Sequence, residues 1–96
     1  MSTIIQLTHP ITTHAGPVAS LTLRDIVARD LVKMRTNPIT FFADGHYEVN
    51  YALVMAYLVE LSGVDDLTLG DLPGKDFAKC QRAITEMLVD MGNGEA

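Results

Sequence analysis

The stretch TIIQLTHPITTHAGPVASLTLRD, residues 3 to 25, decides the fold of this chain. Residues 3 to 7 and 18 to 23 alternate apolar and polar side chains, which places Ile5 and Leu7 on one face of a first strand and Ala19, Leu21 and Leu23 on one face of a second. Gly16-Pro17 reads as the turn between them. Pro10 lacks a backbone N–H and fits only an edge or a bulge. An N-terminal β-hairpin follows, and everything after it reads as helix or loop, so the expected class is α+β: a hairpin followed by about three helices, the last two forming a small helical core.

Thr22-Leu23-Arg24-Asp25 has the form of a capping box with Asp in place of Glu, so a first helix is expected to start there, with Ile26, Val27, Leu31 and Met34 on one face and Arg29, Lys33 and Arg35 opposite, and to stop at Asn37-Pro38. Residues 36 to 49 hold Phe41-Phe42 and the turn signal Ala-Asp-Gly-His without a clear period, and read as a loop. Residues 50 to 62 read as a second helix, capped by Asn50 and ended at Ser62-Gly63. Its interior YALVMAYLVEL carries one charge, Glu60, and is apolar almost all round.

Leu67, Leu69 and Leu72 then punctuate an acidic link that suggests a short helical turn. From Gly74 or Lys75 onward, Phe77, Cys80, Ile84, Met87, Leu88 and Met91 form an amphipathic stripe, with Lys79, Arg82, Glu86 and Asp90 outside it. A single domain over residues 1–92 with a frayed tail at 93–96 accounts for the whole chain.

Charge narrows the function classes. Residues 1 to 59 carry four basic and four acidic side chains, so the net charge of -5 resides entirely from Glu60 onward. Phosphate backbones need a basic surface, and the one basic cluster, Arg29 to Arg35, is interleaved with Asp25 and Asp30, which argues against nucleic acid as a partner. The longest apolar run, Tyr51 to Val59, is about half of what a bilayer crossing needs, so no membrane span is expected. The single cysteine, Cys80, forms no internal disulfide and the N-terminus has no signal-peptide pattern; both fit a reducing cytoplasm.

The residues that carry chemistry elsewhere do not assemble here. His9 and His14 lie five positions apart with no third ligand near them in sequence, and His46 is distant, so turn histidines are expected and not a metal site. Cys80 sits in the inward stripe and reads as packing. Asp65 and Asp66 are adjacent and point in different directions, and no glycine-rich phosphate loop is present. Neither an enzyme nor a cofactor is indicated.

What stands out instead is apolar surface. A domain this small with a hairpin, two amphipathic helices and one nearly all-apolar helix has Phe41, Phe42, Tyr51 and Tyr57 to spare, which points to binding of a protein partner or to self-association. In the second helix Tyr51, Val54, Leu58 and Leu61 share one side, Ala52, Met55, Ala56 and Val59 a second, and Leu53, Tyr57 and Glu60 a third. The lone charge marks the third side as the one facing water, so Leu53 and Tyr57, with Phe41 and Phe42, are the expected partner contact.

The order and spacing of Leu-Thr-Leu-Arg at residues 21 to 24, Leu-Ser-Gly at 61 to 63 and the leucine-spaced acidic link to Asp76 and the final helix resemble the small tail assembly chaperones of Mu-like and related contractile-tailed phages and prophages. The resemblance covers most of the chain outside residues 36 to 49. It implies a non-enzymatic factor of the host cytoplasm that binds amphipathic segments of the tape measure protein, keeps that protein soluble during tail assembly, and is absent from the finished virion. The alternative is a small structural tail or head-tail joining protein that stays in the particle.

Overall fold

The computed structural model describes residues 2–35 and 38–93. Strands β1 (Thr3–Thr13) and β2 (Gly16–Leu23) form an antiparallel hairpin, followed by helix α1 (Ala28–Met34), a second hairpin of β3 (Ile39–Phe41) and β4 (Tyr47–Val49), and helices α2 (Tyr51–Ser62), α3 (Asp66–Leu69) and α4 (Gly74–Asn93). The class is α+β, with three substantial helices among the four described.

The first hairpin is longer than its alternating segments. Thr3 pairs with Leu23 and Thr13 with Gly16, and the register shifts between Gln6 and Ile11, so Leu7 to Pro10 bulge opposite Ala19. Pro10 thus lies where no ladder bond is required. The loop itself is His14-Ala15, tied by the Thr13 hydroxyl, which donates to the Gly16 carbonyl at 2.8 Å and accepts from the Ala15 N–H at 3.1 Å. Gly16-Pro17, expected as the turn, instead opens β2, and the φ of 105° at Gly16 is a left-handed value that favours glycine. Leu21 and Leu23 are buried as expected; Ala19 is exposed, because it sits across from the bulge.

The core lies between the inward face of this hairpin and helices α2 and α4. Ile5, Leu21 and Leu23 meet Val54, Tyr57, Leu58 and Leu61 of α2, Leu69 of α3, and Cys80, Ala83 and Ile84 of α4 in one buried cluster. The stripe read for the last helix packs as far as Leu88, with Phe77, Met87 and Leu88 half-buried against that cluster, while Met91 at its end is exposed.

Helix α2 starts and ends where its sequence indicates. The Asn50 side chain accepts from the Leu53 N–H at 3.1 Å, and Gly63 takes a left-handed φ of 75° while its N–H donates to the Val59 carbonyl. The acidic link forms the short α3, whose first free N–H groups are met by Asp65: its carboxylate accepts from the Thr68 N–H and hydroxyl.

Further boundaries differ from those expected. The Thr22 to Asp25 box does not start a helix; α1 begins at Ala28, and the carboxylate that caps it is Asp30, which accepts from the Val27 N–H at 2.9 Å. The helix ends at Met34 with Arg35 in a left-handed conformation, and the expected stop at Asn37 falls outside the described residues. Nor is the region before α2 only a loop, since β3 and β4 pair with Ile39 opposite Val49 and Phe41 opposite Tyr47 around the turn at Asp44-Gly45. The tail expected to begin at 93 is helical at Asn93, and residues 94–96 are outside the described set.

Two buried aspartates fix how the elements meet. Asp76, fully buried at the start of α4, accepts from the N–H and hydroxyl of Thr8 at 3.0 and 2.9 Å, which ties the β1 bulge to the helix. Burial alone would raise its pKa, but the Thr8 bonds and Lys79 outweigh that and hold it below the ordinary value. Asp30 is 1% exposed and receives both arms of the Arg24 guanidinium at 2.8 and 2.9 Å. The Arg24 hydrogen bond, opposed by burial and helped by the Val27 N–H, lowers the Asp30 pKa to about 2.

Because the folded pKa of Asp30 lies below its unfolded value, the stabilisation it gives is complete above about pH 4 and is lost as pH falls through about 2. Asp30→Ala is expected to lower stability by about 2 kcal/mol, a fall in melting temperature on the order of 10 °C, from the lost charged hydrogen bonds. The difference from wild type in thermal melts should shrink between pH 4 and pH 2.

Candidate partner-binding surface

The partner contact expected on the third side of α2 is not an exposed surface. Tyr57 is 1% exposed, and burial, followed by the Asp30 charge, raises its phenol pKa. Leu53 is half-buried and packs on the core. The reason lies in Glu60. Its carboxylate does not turn to water but accepts from Lys33 of α1 at 2.8 Å and lies 3.9 Å from Arg24, so α1 and the exit of β2 cover this side of α2. Phe42 is exposed and stacks on His46, ring centroids 4.4 Å apart, within the second hairpin. The side chain of Phe41 is outside the described set.

The side of α2 that does stay open is the second one. Ala52, Met55, Ala56 and Val59 form the floor of a cleft of about 550 Å³ between Lys33 and Met34 of α1 and Asp66 of α3. Glu60 is held by Lys33 of α1, and Val54, Tyr57, Leu58 and Leu61 are buried in the core cluster with the hairpin and α4. On the remaining face Met55 and Val59 also pack against that cluster, and the rest of their surface lies in the cleft. Leu67, beside Asp66, is 83% exposed and continues the apolar character onto α3. Ala52 is exposed, while Met55, Ala56 and Val59 are half-buried. The sequence groups these four residues on one side of the helix but gives no sign that they are left open, because two of them are alanines and none is charged.

A second depression, about 450 Å³, lies between the hairpin loop and the link from α2 to α3, with His14, Ser20, Ser62 and Asp65 among its lining. Two of its polar groups are engaged locally: Asp65 caps α3 and the Ser62 hydroxyl accepts from the Val64 N–H.

Of the residues weighed for chemistry, His14 and Asp65 come together in that depression, and no other lines it. His9 is exposed on the bulge, His14 is at the hairpin loop, and His46 bonds Asp44 in the second hairpin. No group of three metal-ligating side chains occurs among the described residues. Cys80 is fully buried, and desolvation pushes its thiol up to about 11. No described helix is long and apolar enough to cross a membrane.

Comparison with known proteins returns no match to a family model, a curated protein or a solved structure.

Two outcomes follow from these placements. Thiol labelling of Cys80 in native buffer should be much slower than in denaturant, since the reactive thiolate is both scarce and enclosed. Tyr57→Ala should destabilise the fold by about 3–5 kcal/mol, whereas Ala52→Glu, at the open rim, should change stability by less than about 0.5 kcal/mol in the same denaturant titration.

Proposed function

We propose that this protein is a tail assembly chaperone of a phage or prophage that binds amphipathic helical segments of the tape measure protein in the host cytoplasm and keeps it soluble until the tail tube encloses it. The observation that carries the reading is the open apolar side of α2, where Ala52, Met55, Ala56 and Val59 lie in a cleft walled by two other helices. A long helical partner with apolar stripes needs such a cover before assembly, and an acceptor built from Met, Val and Ala adapts to stripes of varied sequence. The net charge of -5 supports the same role by keeping a loaded complex dispersed. The order of sequence features around residues 21 to 24, 61 to 63 and 76 adds the likeness to tail assembly chaperones.

Co-expression with the tape measure protein of the same phage tests the reading. The expected result is a soluble complex that co-elutes in gel filtration, a tape measure protein that precipitates when expressed alone, and no copy of this chain in purified particles. Stoichiometric retention in particles would assign it instead to the small structural tail or head-tail joining proteins.

A further inference from the structure

The charges around the cleft specify more than an apolar groove would. Of the three ionisable side chains on its walls and floor, Lys33 and Glu60 neutralise one another at 2.8 Å. Asp66, on the opposite wall, is exposed, and no described side chain offers it a cation. The floor residues Ala52, Met55, Ala56 and Val59 follow the i, i+3, i+4, i+7 spacing of one helix side, and the two alanines let another helix approach closely.

We propose that the cleft between α1 and α3 takes an amphipathic helix whose apolar stripe is flanked by lysine or arginine on the edge that meets Asp66. This rests on the helix-binding reading above and adds the recognition chemistry to it. A second copy of this chain docking through the end of α4 fits poorly, because the exposed Val89 and Met91 there are flanked by Glu86 and Asp90, which would bring like charges onto Asp66; docking through the exposed Leu31 and Val32 of α1 is the arrangement that the sedimentation test below distinguishes. The acidic balance of the chain also opposes self-pairing.

The test uses the full chain and two fluorescently labelled synthetic helices of about 20 residues that share one Leu/Ala stripe and differ in flank, Lys in one and Glu in the other. Fluorescence anisotropy at low salt is expected to show the Lys-flanked peptide bound about tenfold more tightly. Asp66→Lys, an exposed change that leaves folding intact, should shift that ratio by roughly tenfold toward the Glu-flanked peptide. Asp90→Lys, the same charge change on α4 away from the cleft, should move it far less. Ala52→Glu should abolish binding of both peptides with an unchanged circular dichroism spectrum.

Equal binding of the two peptides by wild type, or the same shift from Asp66→Lys and Asp90→Lys, would overturn the assignment. So would a dimer in sedimentation that Ala52→Glu dissolves, since the cleft would then belong to a second copy. The peptide preference without capture of a tape measure protein would sink the chaperone reading alone; capture without the preference would sink this one alone.

Discussion

A carboxylate taken out of water must find its compensation in place, and Asp30, 1% exposed, finds it in Arg24. That pairing positions three elements together. Arg24 is the first residue past β2; its N–H donates to the Leu61 carbonyl at the end of α2, its guanidinium holds Asp30 in the first turn of α1, and it reaches toward Glu60. Glu60 in turn holds Lys33. The hairpin, α1 and α2 are therefore registered on one another by a single arginine, and the side of α2 that carries Tyr57 is closed by the same cluster. What remains open on α2 is set by what this cluster covers.

The acidic balance of the chain takes on a different meaning once these aspartates are placed. Asp30 and Asp76 are internal, the first held by Arg24 and the Val27 N–H close by in sequence and the second by Thr8 from the far end of the chain, while Asp65 is used to cap α3. They hold the domain together and contribute little to its outer surface. The carboxylates left for contact with another molecule are exposed ones such as Asp66, Asp71 and Asp90.

The parts of the fold legible in the sequence are those whose pattern repeats often enough to be distinctive. The alternation ending in Leu21 and Leu23 fixes the hairpin, the Asn50 cap and Gly63 bound α2, and the stripe through Cys80 and Ile84 fixes α4. Strands β3 and β4, three residues each, are too short to show a period. Helix α1 starts later than its sequence indicates because Thr22 and Asp25 imitate a capping box, whereas the working cap joins Asp30 to Val27, a residue with no side-chain acceptor. The open surface differs from the expected one for one reason: the lone charge of α2 does not mark the side that faces water. Glu60 faces Lys33 and Arg24 instead, and a long-range ion pair leaves no local trace in the sequence.

The β1 bulge also changes what the hairpin can offer to other chains. A two-stranded ribbon is a ready template for a further strand, the step from which ordered aggregates grow. Along β1 that template is interrupted. The Thr8 N–H is committed to Asp76, the Gln6 carbonyl accepts from Lys79 at 3.0 Å, and Pro10 has no N–H to give. An incoming strand finds the run broken over several consecutive residues. The chain thereby carries, in its own backbone, a block against being recruited into an ordered aggregate.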